Sequence, residues 1–306
     1  MSNRDLRLGK GPAVVGVDVG GTDIKSCTVT QEGVLRDIRR TPTNARPEAP
    51  VDTLLDQVER IVTERTSSGD RIDRVGIAVP GIVDPVRGVG IRSSNLGWHD
   101  APLRELAEAR LQRPVTLDQD VRSAGLAEYT WGAARGVDTA LVVVIGTGIA
   151  AAVFIDGRPH VGGGYAGEIG HISAGGDRPC GCGNVGCVET LASATAIARR
   201  YGEPAVTAKD VIARAAAGDT RAETVWSEAL DALAGALEQA SRVIAPQRIV
   251  LGGGLSAAGE ALRQPLQERL GVRLRHGALP VLVTSELGPD AGVIGAALRA
   301  RNGEQS

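Results

Sequence analysis

From Ala13 to Val19 the chain is an almost unbroken apolar run, which predicts a strand buried on both faces. A glycine turn follows in Asp18-Val19-Gly20-Gly21-Thr22-Asp23-Ile24-Lys25, and Ser26–Thr30 resumes as a strand with Cys27 inside it. Gln31-Glu32-Gly33 predicts a tight turn and Val34–Arg40 a third strand. Past a loop over Pro42–Pro50, the positions Val51, Leu54, Leu55, Val58, Ile61 and Val62 recur at helical spacing, predicting a helix over Val51–Thr66. Arg74–Val79 predicts a buried strand ended by Pro80-Gly81, with a loop rich in Gly, Ser and Asn behind it, through Ser94-Asn95-Leu96-Gly97-Trp98. Leu103–Leu111 predicts a helix, Val115–Leu117 a short strand and Asp120–Trp131 another helix.

The opening pattern then returns. Thr139–Ile145 is an apolar strand, Gly146-Thr147-Gly148 a glycine turn, Ile149–Ile155 a second strand, Asp156-Gly157 a hairpin turn and Arg158–Val161 a third strand. Strand, Gly/Thr turn, strand, acidic-Gly turn, strand thus occurs twice, about 125 residues apart. The repeat is one of pattern with little residue identity, so duplication of one domain type and chance similarity are both readings of it. After a cysteine-rich stretch the chain turns helical, most clearly over Arg221–Ile244, where Val225, Ala229, Leu233, Leu237, Ala240 and Ile244 share one face. Arg248–Leu251 is a strand running into Gly252-Gly253-Gly254, Glu260–Leu270 a helix interrupted by Pro265, Val281–Thr284 a strand and Ala291–Arg301 a final helix. Alternating helices and buried strands predict an α/β protein.

Composition narrows the reading. The 306 residues suffice for two domains or one large one, and with aromatic residues at 2% the core must be Ala, Val, Leu and Ile. A net charge of −2 offers no basic surface for nucleic acid or anionic membrane. No apolar run approaches the roughly 20 residues of a membrane span. The first 12 residues are polar and of mixed charge, unlike a signal peptide, so a cytoplasmic protein is expected. Three of the four cysteines fall in one short cluster, which in such a setting favours metal over disulfides.

Three glycine turns are candidate phosphate or nucleotide contacts. Backbone amides in Gly20-Gly21-Thr22 can converge on a phosphate, with the Thr22 hydroxyl and Lys25 adding donors and Asp18 able to orient a hydrated Mg2+. Gly146-Thr147-Gly148 can do the same from the second repeat, and Gly252-Gly253-Gly254 can pass close to a purine ring. Plain hairpin turns are the competing reading of each. No G-x-x-x-x-G-K-[ST] is present, and Gly146-Thr147-Gly148 runs on into a strand where a dinucleotide fingerprint would open a helix. Asp120 begins a helix after a short strand; it is either a helix cap or a general base for transfer to an alcohol. His171-x8-Cys180-x-Cys182-x4-Cys187 offers the four ligands of a closed tetrahedral zinc site, which leaves the flanking carboxylates Glu168 and Glu189 for other work. A redox pair is the alternative, although Cys180-x-Cys182 lacks the usual two-residue spacer. Cys27 reads as a core residue.

These residues resemble the ROK family (repressors, open reading frames and kinases) of the bacterial glucokinase type, within the actin-like ATPase superfamily. Asp18-x-Gly20-Gly21-Thr22-x-x-Lys25 is similar to the family's first phosphate loop and Gly146-Thr147-Gly148 to its second. Val79-Pro80-Gly81 and Asn95-Leu96-x-Trp98 resemble its sugar-side loops, and Glu168-x-Gly170-His171 with Cys180-x-Cys182-Gly183-x-x-Gly186-Cys187-x-Glu189 its most specific signature. The resemblance runs from Val14 to about Arg301. It implies two actin-like ATPase (ribonuclease H-like) domains around a central cleft that closes on sugar. The smaller would span residues 13–119, rejoined by a C-terminal helix over 290–302, and the larger residues 120–289 with a zinc loop over 168–189. It further implies an ATP- and Mg2+-dependent hexose kinase acting on the 6-hydroxyl of glucose or a related sugar. Asp120 would be the base, while Gly81, Asn95, Gln119, Glu168, His171 and Glu189 would line the sugar. His171 would also bind zinc, and a homodimer is implied. Two departures are visible: Gln119 stands where the family's glucokinases usually have Asn, and Arg122 where Asn is common. The longer Gln119 side chain admits an amino sugar such as kanosamine or N-acetylmannosamine, or a C7-cyclitol, as substrate. Polyphosphate is an alternative donor. A non-catalytic sugar-sensing regulator is the alternative of another class, although only about 12 residues precede the first strand, too few for a DNA-reading helix-turn-helix.

Overall fold

The structure is a computed structural model that describes residues 6–303 apart from residues 45, 47, 70 and 95. Asn95, one of the expected sugar contacts, therefore lies outside the described residues. In chain order the elements are β1 (Val14–Val19), β2 (Asp23–Val29), β3 (Leu35–Pro42), α1 (Pro50–Ser67), β4 (Arg74–Val79), β5 (Ile82–Asp84), β6 (Val89–Arg92), β7 (His99–Ala101), α2 (Leu103–Leu111), β8 (Val115–Gln119) and α3 (Asp120–Trp131). There follow β9 (Ala140–Ile145), β10 (Ile149–Ile155), β11 (Arg158–His160), α4 (Glu189–Ala192), α5 (Ala194–Tyr201), α6 (Ala208–Ala216), α7 (Thr220–Ile244), β12 (Arg248–Gly252), α8 (Glu260–Arg273), β13 (Val281–Thr284) and α9 (Ala291–Asn302).

Two compact units result. The sheet of the first has the order β3-β2-β1-β4-β8, that of the second β11-β10-β9-β12-β13. In each, the first three strands are antiparallel and the last two join in parallel. The pattern repeat in the sequence is thus a repeat of topology, with a glycine turn between the first two strands of both sheets.

The first unit packs its sheet between two very different helices. On one face α1 presents Leu54, Leu55, Val58, Ile61 and Val62 to the valines of β1 and β4. On the other lies α9, which buries even Arg299 and Arg301. It comes this close because the strands have no side chain beneath it. A Cβ at Gly16 would sit 2.7 Å from Val293 O, and one at Gly76 2.0 Å from Ala296 O. Arg301 offsets its burial by donating to the carbonyl oxygens of Pro12 and Thr30, each at 2.7 Å. We expect Gly76→Ala to cost about 3 kcal/mol or more, because the helix backbone must move. A lowered urea midpoint with an unchanged slope is the measurement, and an unchanged midpoint would show that α9 has room to shift.

The second unit buries the long helix α7 through Val225, Ala229, Leu233 and Leu237 against β9 and β12. Asp219 starts that helix by accepting from Ala222 N at 3.0 Å.

The division of the chain differs from the expected boundary at 119/120. It falls inside α3, between Ala127 and Glu128, with Val161–Ala166 and the chain from Asp290 onward also in the first unit. The cause is packing. Gly295 of α9 lies so close to Ser123 that a Cβ would sit 1.7 Å from its carbonyl oxygen. One turn later the Glu128 carboxylate accepts from Ala133 N (2.8 Å), Ser285 Oγ (2.5 Å) and Leu287 N (2.8 Å), all in the second unit. The small sheet β5-β6-β7 was not anticipated, because its strands are three or four residues long and carry no periodicity.

Candidate active site

The first glycine turn is confined to Gly20-Gly21-Thr22, and Lys25 belongs to β2. Asp18 and Lys25 are directly opposite in the β1–β2 ladder, which brings Nζ to 3.5 Å from Oδ2. Burial pushes the Asp18 carboxyl up from its ordinary value; Lys25 opposes this, and Asp290 adds to it. Gly292 leaves room for that carboxylate, since a Cβ there would lie 2.5 Å from Asp18 Oδ2. The turn is held from β3's end by Thr43, whose Oγ1 donates to Gly20 O (2.7 Å) and whose amide donates to Thr22 O (2.8 Å). A trans peptide sets C=O and N–H on opposite sides, so tethering Gly20 O directs the Gly21 amide away from Thr43. Thr43 and Asp290 were missed because nothing local marks them; only the fold brings them to the turn.

Asp120 begins α3, and its Oδ1 accepts from Val121 N at 2.8 Å. Beneath it Asp118, 1% exposed, accepts from Gln119 N (2.8 Å) and Arg122 Nε (2.7 Å) and pairs with Arg299 Nη2 at 2.6 Å. Gln119 is 3% exposed, so its amide presents almost no surface to a ligand here. Gly81 has φ +108°, and a Cβ would meet Arg92 O at 2.3 Å, so its identity is fixed by the turn from β4 into β5.

In the second unit the expected residues converge. The chain from Gly167 to Gly170 lies against β10, with Ala151 N donating to Gly167 O at 2.8 Å. Cβ atoms at Gly167 and Gly170 would clash with Ala151 O and Ile149 O at 1.8 and 2.2 Å. This close approach sets Glu168 and His171 beside the strand that leaves the second glycine turn. Glu189, the first residue of α4, reaches the same place: its Oε2 accepts from Ile149 N at 2.8 Å. Gly148 makes this possible, since a Cβ there would lie 2.7 Å from that oxygen. Ala194 N donates to Gly146 O (2.9 Å), while Thr147 is exposed at the tip. Gly253, in the third glycine turn, has φ +80° and passes so close to β9 that a Cβ would be 2.5 Å from Ile145 O.

His171 faces two ways. Nδ1 is 3.6 Å from Cys180 Sγ, and Nε2 is 3.8 Å from Glu168 Oε2. Cys182 and Cys187 have their sulfurs 3.7 Å apart, and one ligand atom from each of the four residues lies within 4.8 Å of the others. Zinc–sulfur bonds of about 2.3 Å in a tetrahedron put sulfurs about 3.8 Å apart, so the spacing fits one zinc ion. Short backbone pairings shape the site, and Cys187 alone of its ligands is buried, next to the core residue Val188. Pro179 pairs with Val185 and Ser173 with Cys187, while Cys180 N donates to Asn184 O at 2.8 Å. No helix among the described residues is long and apolar enough to cross a membrane.

The profile of the ROK family matches residues 14–302. A glucokinase of Halalkalibacterium halodurans is 34% identical over 318 aligned positions, covering 95% of this chain and 96% of its own length. The crystal structure of a ROK hexokinase from Thermus thermophilus is 33% identical, with a TM-score of 0.78 over 94% of this chain and 97% of that one. A ROK family glucokinase from Streptomyces griseus, crystallised with glucose and AMPPNP, is 28% identical with a TM-score of 0.80, covering 95% of this chain and 99% of that one.

Proposed function

The chain belongs to the ROK family, and from that premise we infer that it is an ATP-dependent hexose kinase. It transfers the γ-phosphoryl group of ATP to the 6-hydroxyl of glucose or a closely related sugar. Asp120 takes the hydroxyl proton as the sugar oxygen bonds to phosphorus and ADP leaves.

The observation that carries this reading is the bond from Ile149 N to Glu189 Oε2. It joins the residue following a phosphate-type glycine turn to an acidic side chain of the Glu168–His171–Glu189 group. A phosphoryl donor and a polyhydroxyl acceptor need such neighbouring surfaces, one of amides and one of carboxylates. In this assignment Glu168, His171 and Glu189 accept or donate to sugar hydroxyls, with Gly81 and Asn95 completing the sugar contacts, while Gln119, 3% exposed, is left to shape the turn before Asp120. Gly20, Gly21, Thr22 and Lys25 hold phosphate, as do Gly146, Thr147 and Gly148. Gly252, Gly253 and Gly254 lie along the purine.

Asp18, whose carboxyl burial pushes up from its ordinary value against the pull of Lys25, would orient hydrated Mg2+, which would offset charge on the transferring phosphoryl group. His171, Cys180, Cys182 and Cys187 hold a structural zinc that supplies no open position. A homodimer in the cytoplasm completes the proposal on family likeness.

The test is sugar-dependent ADP release across glucose, other hexoses, amino sugars including kanosamine and N-acetylmannosamine, and a cyclitol, with ATP and with polyphosphate as donors. Glucose with ATP is expected to give the highest kcat/KM. No sugar-dependent ADP from any acceptor would overturn the enzyme reading and leave a sugar-binding regulator.

A further inference from the structure

We propose that Arg122 is a positioning residue of the phosphoryl transfer, fixing the Gln119–Asp120 turn to two other segments of the first unit. The inference rests on Asp120 as the base. Arg122 stands where the family commonly has Asn, and it is buried at 3% exposure. Three of its nitrogens are used. Nε donates to Asp118 Oδ1 at 2.7 Å, Nη2 to Val83 O at 2.7 Å and Nη1 to Gly164 O at 3.2 Å.

Two of the partners belong to segments that bear a candidate site residue, and the third to the stretch that precedes one. Asp118 is two residues before Asp120 and also accepts from Gln119 N, so its carboxylate sets the backbone of the turn itself. Val83 follows Gly81 by two residues in β5. Gly164 lies in Val161–Ala166, the stretch that leads directly into Gly167 and Glu168. Gly164 itself is wedged against β5, where a Cβ would meet Val83 O at 2.5 Å. One planar, permanently charged fork therefore ties together the turn of the base, the Gly81 loop and the stretch entering the Glu168 loop. A lysine has no such geometry, because it offers one nitrogen on a flexible stem.

The need for Arg122 also follows from charge. Asp118 is buried at 1% exposure and requires compensation. Arg299 of α9 supplies one cation at Oδ2, and Arg122 supplies the other at Oδ1. Arg299 holds Asp118 from α9, so removal of Arg122 leaves Asp118 with one cationic partner and cuts the turn's ties to Val83 and Gly164. The expected consequence is a sugar hydroxyl misaligned with the base. Transfer to water, which needs no such alignment, is affected less.

The experiment compares Arg122→Asn and Arg122→Lys with wild type, measuring sugar phosphorylation and sugar-independent ATP hydrolysis on the same preparations. We expect kcat for sugar to fall about 10- to 100-fold in Arg122→Asn, with hydrolysis within about threefold of wild type and the KM for ATP unchanged. Arg122→Lys should recover part of the kcat, since it keeps the charge beside Asp118. A purely structural role would lower both activities in proportion to the folded fraction. That result, or a sugar kcat within about threefold of wild type in Arg122→Asn, would overturn the inference. Asp120→Asn in parallel separates the two failures. If it abolishes transfer while Arg122→Asn does not, the positioning inference alone fails; if Asp120→Asn stays active, the base assignment fails with it.

Discussion

Asp120→Asn is expected to lower kcat for sugar phosphorylation by more than about 100-fold, with the binding of sugar and of ATP held within about threefold. A hundredfold loss corresponds to about 2.7 kcal/mol of transition-state stabilisation. The substitution is nearly isosteric, and it preserves the structural duty of the side chain. Asp120 Oδ1 accepts from Val121 N, and an asparagine oxygen can accept the same bond. Helix α3 should therefore start as before, above the same Asp118–Arg122 pair. What is lost is the only property that bears on the chemistry, a basic oxygen able to take the hydroxyl proton as the bond to phosphorus forms. A fall in kcat and in kcat/KM by the same factor, with unchanged binding, is the signature of an interaction made only in the transition state. Near-normal turnover would return Asp120 to the helix-start role that its position also explains.

How much of this was legible in the sequence depends on the range of the signal. The strands of the two five-stranded sheets were legible because buried strands leave apolar runs and glycine turns leave fixed spacings, whereas their order within each sheet was not. The cluster from Glu168 to Glu189 was legible because its ligands and glycines are close in the chain. The structure supplies reasons for glycines that the sequence only counted: Gly148 makes room for Glu189, and Gly167 and Gly170 bring the loop onto β10. Long-range pairings were not legible. Thr43 closes the first glycine turn from 23 residues away, and Arg299 reaches Asp118 across most of the chain. Arg122 was visible as an unusual residue, but its partners Val83 and Gly164 lie 39 and 42 residues away in the chain. The unit boundary was misplaced for a related reason. A helix that belongs to two units reads as one amphipathic run, and only Glu128's bonds to Ser285 and Leu287 disclose where it changes allegiance.

Cys182→Ser is expected to release zinc and to lower kcat/KM for sugar by about 100-fold or more, the upper end of what loss of a metal-orienting group costs. The cluster has no hydrophobic core of its own. Cys180 and Cys182 are partly exposed, and apart from short backbone pairings its order depends on the four ligands meeting at one point. Without metal the segment between Ser173 and Cys187 should loosen, which hydrogen exchange can localise. The loss reaches the sugar side because the ligands and the sugar-facing residues share a backbone. His171 turns one nitrogen to Cys180 and the other toward Glu168, and Glu189 follows Cys187 by two residues. Nucleotide affinity should change less. The second glycine turn keeps its bond from Ala194 N to Gly146 O, and helices α5 and α7 hold it from the core. Global stability should likewise fall only modestly, since the loop reaches the core around α7 only through Ile169, Ile172 and Val188 at its two ends. The decisive measurements are zinc content per chain and the ratio of the two KM changes. A variant that kept one zinc per chain and full activity would show that the metal is held by a different set of residues. A variant that lost zinc but bound sugar normally would show that Glu168, His171 and Glu189 are positioned by β10 and α4 alone.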